Sequence, residues 1–157
     1  MTKLTHIKDK HINMVDISRK NISTRIAKAR AIVQFKESSF NEIISKGSPK
    51  GEILSTARIA GIQAAKNTYQ LIPLCHNIIL DKISISFELI KDKFQIVVLS
   101  ECISNQKTGV EMESLIAANI ASLTIYDMCK SIDKSITIEN LKLVYKSGGK
   151  SGIYKND

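Results

Sequence analysis

Titratable side chains fall at a few places in this chain where acid–base chemistry on an anion becomes possible. Pro73-Leu74-Cys75-His76 follows a helical stretch at its exit. A histidine at such a place can give or take a proton or a hydrogen bond, although a lone loop histidine also serves as a plain structural group. Lys50 stands in the turn-rich run Gly47-Ser48-Pro49-Lys50-Gly51, just ahead of a helix. Backbone N–H groups and the helix dipole favour anions at such a position, and a lysine adds to them; an exposed loop lysine is the plainer alternative. Asp127 and Lys130 are neighbours on one helical face. Buried, the pair can hold a proton-transfer group with a shifted pKa; exposed, it is a weak surface ion pair. Glu111 and Glu113 point about 160° apart on a helix, so they are not expected to act as paired carboxylates. The run Lys146 to Gly152, KSGGKSG, lacks the first glycine of a nucleotide-binding P-loop because Val144 stands there, and no helix follows. Its lysines and N–H groups can still wrap a phosphate.

The element that spaces most of these groups is Gly109 to Lys134, a run without proline and rich in Ala, Leu, Met and Glu, which predicts a long helix. Its periodicity gives two apolar stripes. Val110, Ala117, Ala121, Ile125, Met128 and Ile132 form one. Met112, Ile116, Ile120 and Leu123 form the other, with Glu113, Asp127 and Lys130 in its sector. Two stripes imply packing on the chain's own sheet on one side and on something else on the other.

Ahead of that helix, residues 1–24 are polar and aperiodic and read as an N-terminal arm containing Asp16. Arg25 to Phe35 alternates apolar and polar residues and ends in Ile, Val and Phe, which predicts a strand. Ser38 or Ser39 is expected to cap a short helix over Phe40 to Lys46, stopped by Gly47. A helix from Glu52 to Leu71 follows, and its small residues suit close packing on a sheet. Ile83 to Leu89 and Phe94 to Ile103 read as two strands joined by Lys91-Asp92-Lys93. Ile136 to Lys146 reads as a last strand with an irregularity near Glu139-Asn140, and residues 147–157 as a flexible basic tail.

This order predicts a single α+β domain over residues 1–157 of the ferredoxin-like kind (βαββαβ), with an antiparallel sheet and helices on one face. The opposite sheet face, including Val97, Leu99 and Ile103, is then bare and suggests self-association. The 157 residues suit one domain with a real core. The net charge of +8 implies attraction to anions, whether nucleic acid, phosphorylated metabolites or acidic surfaces. Three widely spaced cysteines with no C-x-x-C pair indicate neither a metal site nor a disulfide framework, and are expected as buried thiols. Without an apolar run long enough for a bilayer, the expectation is a cytoplasmic protein with no membrane partner.

Several motifs together are similar to the molybdenum cofactor biosynthesis protein C family, the cyclic pyranopterin monophosphate synthases. They are TARIAGIQAAKNTYQLIPLCH (Thr56 to His76), TGVEMESL (Thr108 to Leu115), LTIYDMCK (Leu123 to Lys130) and KSGGKSG, with LTHI (Leu4 to Ile7) and MVDIS (Met14 to Ser18) near the start. The segment Asn77 to Leu80 departs mildly, at a place where the family commonly has a proline. The resemblance implies a lyase-type synthase. Its substrate would be 3′,8-cyclo-7,8-dihydroguanosine 5′-triphosphate and its product cyclic pyranopterin monophosphate, with release of pyrophosphate. Asp127, Lys50, Lys130 and His76 would be catalytic. Leu74, Cys75, His76, Met112 and Glu113 would contact the substrate. Arg25, Lys146 and Lys150 would hold the triphosphate, with Glu111 and Asp16 as secondary contacts. No redox cofactor and no protein-bound metal are implied, while a divalent ion accompanying the triphosphate stays open. The resemblance also implies a homo-hexamer, a trimer of dimers with active sites at a subunit interface. The alternative is a non-enzymatic RNA-binding ferredoxin-like module. Aromatics make up only 5% of residues, and the inner strand Phe94 to Ile103 carries one where base stacking needs a cluster. Nucleic acid is therefore not expected as a partner.

Overall fold

Alternation decides the first long strand. Ala27, Ala29, Ala31 and Val33 are all fully buried on one side of β3 (Ser23–Gln34), while between them Lys28 is exposed and Arg30 half-buried, with Ile32 the one buried residue on the other side. A period of two fits a pleat with one covered face, so the strand reading of this segment holds. A computed structural model describes residues 7–8 and 11–156. It starts with a two-stranded ribbon, β1 (Ile7–Lys8) and β2 (His11–Ile12). Most of the LTHI motif, Leu4 to His6, lies outside the described residues.

After β3 come α1 (Glu37–Lys46), α2 (Ile53–Lys66), the single turn α3 (Thr68–Leu71), β4 (Lys82–Ile90), β5 (Gln95–Gln106), α4 (Glu111–Cys129), β6 (Thr137–Gly149) and β7 (Gly152–Lys155). Among the described residues the main sheet has the order β4-β5-β3-β6-β7, antiparallel throughout. The crossing from β3 to β4 leaves room for β5 between them, which is the ferredoxin-like arrangement. α4 lies across β3, β5 and β6, and α2 packs on α4 and β4.

The small residues of α2 therefore serve a helix–helix contact more than a sheet contact. A Cβ on Gly61 would stand 2.8 Å from the Ala117 carbonyl oxygen. The expected long helix also breaks at Asn67, whose backbone (φ −105°, ψ 11°) leaves the helical region while its amide donates to the Gln63 carbonyl. Ser39 is not a cap. Its hydroxyl bonds the Lys36 carbonyl and, at 2.6 Å, the buried Asp133 carboxylate across the core. Phe94 belongs to the turn, not to the strand: it has φ 53°, and its ring meets Phe40 edge-on at 6.1 Å. The irregularity near Glu139-Asn140 is present, with Asn140 at φ 51° and a register shift between Arg30 and Ile32. The flexible tail is corrected: β6 runs on to Gly149, and β7 folds back on it.

Both stripes of α4 are as predicted. Val110, Ala117, Ala121, Ile125 and Met128 are buried. Ile116 and Ile120 are half-buried and Leu123 is 50% exposed, so the described chain covers the second stripe only in part. The sheet face turned away from α4 carries Val97, Leu99 and Ile103, but it is less bare than expected: Val97 is buried beside Ile32, Leu99 and Ile103 are half-buried, and Glu101 interrupts it. Its carboxylate takes Lys28 at 2.9 Å and Lys82 at 2.8 Å, and the hydrogen bonds from Lys82 and then Lys28 hold it below the usual carboxylate range.

Candidate active site

Two neighbouring cavities, with Gly109 and Glu111 in the walls of both, open at the N-terminal end of α4. The first, about 290 Å³, forms where the chain leaves α3. Pro73 disfavours helix at Ile72, and the Cys75 N–H closes a turn on the Ile72 carbonyl. Leu74, Cys75 and His76 then face Met112 and Glu113 of the first turn of α4. Val15, Ile17 and Lys20 close the cavity from the N-terminal segment. That segment is pinned by Lys107, whose Nζ donates to the Ser18 carbonyl at 2.8 Å. His76 Nε2 is buried and has no hydrogen-bond partner among the described residues. Such an atom in a cavity wall is a place for a ligand group. Glu113 is only 5% exposed. Burial pushes its carboxyl up to about 7, against a backbone hydrogen bond and with help from the Glu111 charge, so it sits where a proton can be kept or given at neutral pH. Burial and Glu113 raise the Cys75 thiol, which keeps it protonated.

The second cavity, about 140 Å³, is lined by Arg25, Lys146, Ser147, Gly149 and Ser151, and shares Gly109 and Glu111 with the first. Arg25 is aimed by the end of β5: its Nε donates to the Gln106 carbonyl at 3.3 Å and Nη2 to the Lys107 carbonyl at 3.4 Å. Gly148 has φ 88°, and a Cβ there would run into the Thr24 carbonyl, so only glycine lets the two strands close around this cavity. Two cations, two hydroxyls and a glycine backbone suit phosphate oxygens.

The third group lies at the far end of α4. Lys50 Nζ donates to the Asp127 carboxylate at 2.7 Å and to its backbone carbonyl at 2.8 Å. Lys130 Nζ meets the other carboxylate oxygen at 2.8 Å. The hydrogen bonds from Lys130 and then Lys50 bring Asp127 down to about 2. Lys50 thus turns to the C-terminal end of α4 and not to the start of α2, where the sequence placed its anion site. Asp127 is half exposed, so it is an open ion cluster and not a buried pair.

Of the residues singled out from sequence, the structure gathers Leu74, Cys75, His76, Met112, Glu113, Glu111, Arg25 and Lys146 at one end of α4, and Lys50, Asp127 and Lys130 at the other. Fourteen positions separate Glu113 from Asp127, roughly 21 Å along the axis. Glu111 and Glu113 line the same cavity from opposite sectors, because it wraps the end of the helix. One expectation is corrected. Glu113 is buried within its own chain, since the Leu74 to His76 segment covers that sector of the first turn. Cys75 is half-buried in the cavity wall, whereas Cys102 and Cys129 are buried. Asp16 accepts the Ser18 N–H at 2.8 Å, with Val15 and Ile17 on either side facing the cavity. Lys150 is exposed at the β6–β7 turn and does not line either cavity. Lys20 and Thr108 also line the first cavity: Lys20 lies in the aperiodic arm, and Thr108 opens the TGVEMESL motif but was given no role there. Among the described residues, no group of three or more His, Cys, Asp or Glu gathers to hold a metal ion, and no helix is long and apolar enough to cross a membrane.

The fold and cavities define a ferredoxin-like protein with a carboxylate–imidazole chamber beside a cation-lined one. Residues 14–149 match the model of the MoaC family, and the chain belongs to that family, whose enzymes act in molybdenum cofactor biosynthesis.

Proposed function

We propose that this protein is a cyclic pyranopterin monophosphate synthase. It would convert 3′,8-cyclo-7,8-dihydroguanosine 5′-triphosphate to cyclic pyranopterin monophosphate and release pyrophosphate. The observation that carries the reading is that the two chambers lie side by side with Gly109 and Glu111 in the walls of both. One has the carboxyl and imidazole that proton transfers on a purine-derived ring need, and the other has the cations and glycines that a triphosphate needs. The chemistry falls to the chain's own acids, bases and cations, with no resident cofactor. His76 and Glu113 would act on the ring; Arg25 and Lys146, with Lys150 reaching in from its turn, would hold the phosphates. The uncombined thiols Cys75, Cys102 and Cys129 fit a reducing, cytoplasmic setting.

Lys50, Asp127 and Lys130 would complete the site from a second copy. The partly uncovered stripe of Ile116, Ile120 and Leu123 supports this. Two α4 helices crossing antiparallel about a two-fold axis near Ile120 would bring the Asp127 cluster of one copy to the Glu113 chamber of the other. Three such dimers would make the expected hexamer. Mass spectrometry of the protein incubated with the cyclised triphosphate tests the reading. Appearance of the cyclic pyranopterin with one pyrophosphate per turnover supports it, and an unchanged substrate at high enzyme concentration refutes it.

A further inference from the structure

The anion that Lys146 holds is the chain's own Glu111: Glu111 Oε1 lies 3.2 Å from Lys146 Nζ. This carboxylate also lines both chambers. Its resting place depends on Gly109, because a Cβ there would overlap the Glu111 carboxyl group. Both partners are about one-third exposed, with 31% of each side chain open, so an arriving anion can reach the lysine.

We propose that Glu111 is a stand-in for a substrate phosphate: it occupies Lys146 until a phosphate displaces it, and the displaced carboxylate then turns into the ring chamber. This rests on reading the second chamber as the phosphate site. A phosphate carries more charge than a carboxylate and also engages Arg25, so it wins the exchange for Lys146. The swing brings a second negative charge nearer Glu113, whose proton Glu111 already helps to retain. Phosphate binding in one chamber would thereby keep the acid of the other chamber protonated until the ring is in place. Glu111 is in this sense a positioning residue whose partner changes on binding.

The test is calorimetric titration of the full chain with inorganic pyrophosphate, for wild type, Glu111→Gln, Gly109→Ala and Lys146→Met. Glu111→Gln is nearly isosteric and removes the competing charge, so it should bind pyrophosphate about threefold tighter or more, the scale of a part-exposed ion pair released. Gly109→Ala pushes the carboxylate off its resting place at little cost to the backbone and should shift affinity in the same direction. Lys146→Met should weaken binding. If Lys146→Met weakens binding but Glu111→Gln binds no better than wild type, Glu111 merely props the lysine and the stand-in role is overturned alone. If wild type binds no pyrophosphate, the phosphate chamber and the stand-in fall together.

Discussion

Lys50 and Asp127 are joined twice, through the carboxylate at 2.7 Å and the backbone carbonyl at 2.8 Å. The second bond uses one of the carbonyls left unpaired near the end of α4. A loop otherwise made of turn residues is thereby fastened to the helix end, and Ser48 adds a bond to the Met128 carbonyl at 2.5 Å.

Lys50→Ala should therefore leave the fold in place, since Ser48 keeps its own bond from the loop to the helix end. Turnover should fall by about a hundredfold or more, the usual weight of a positioned proton-transfer group. Thermal unfolding and steady-state rates on one preparation check both halves. Near-normal kcat at saturating substrate would remove Lys50 from the mechanism.

Shared sites predict complementation. Glu113→Gln and Asp127→Asn should each be nearly inactive alone. Co-folded in equal amounts, about half the dimers are mixed, and each mixed dimer has one intact and one doubly damaged site, restoring about a quarter of wild-type activity by two-fold counting. If native mass spectrometry shows mixed dimers and activity stays at the single-mutant background, each site is built from one chain.

Glu113 also sets a pH dependence of stability. Its carboxyl is raised to about 7 in the folded protein, first by burial, so folding favours the protonated form. Below its ordinary value of 4.5 the group is neutral in both states and contributes no difference. Between 4.5 and 7 the unfolded chain ionises this group while the folded protein keeps it protonated, so wild type should lose about 3 kcal/mol relative to Glu113→Gln by the time pH passes 7. Denaturant unfolding of both proteins at pH 5 and pH 8.5 reads this. A gap between them that stays constant contradicts it.

Asp133 is an independent stability test far from the chambers. It is buried, and accepts the Ser39 hydroxyl at 2.6 Å, the Ser135 N–H at 2.8 Å and the Ser135 hydroxyl at 2.6 Å. Burial alone would raise its pKa, yet the bonds from Ser135 and Ser39 bring it down to about 2. Asp133→Ala should cost about 2–4 kcal/mol, because bonds to a charged acceptor are lost and Ser39 is left buried. The wild-type advantage should be complete at neutral pH and fade as pH falls below 3.8 toward 2. A loss under about 0.5 kcal/mol in urea unfolding would show that the α1 tether is idle.

Local periodicity carried much of this structure. Ala29, Ala31 and Val33 alternate with Lys28, Arg30 and Gln34, broken only by Ile32, and the two stripes of α4 separate on a wheel, because strand and helix periods are properties of neighbouring residues. Ser39 could not be read this way. Its hydroxyl answers to Asp133, ninety-four positions away, and a cap and a tertiary bond look alike in sequence. Glu113 was placed in an open sector since a helical wheel does not contain the Leu74 to His76 segment that covers it. Lys20 depended on where an aperiodic arm settles. Motifs gave the chemistry-bearing residues near the ends of α4, but not their division into two groups, which depends on the helix's length.

That length makes α4 a ruler. Glu113 and Asp127 are fixed to one rigid rod, so the gap between the two groups is set by residue count and not by loop geometry. One residue inserted between them would advance the far group by about 1.5 Å and swing it by about 100° around the axis. Asp127 would leave the stripe of Ile116, Ile120 and Leu123, and a two-fold crossing could no longer present it to the opposite chamber. Loops elsewhere in the chain can lengthen or shorten; the fourteen-residue interval within α4 can change only by about a whole number of turns, and then only if the crossing point moves with it.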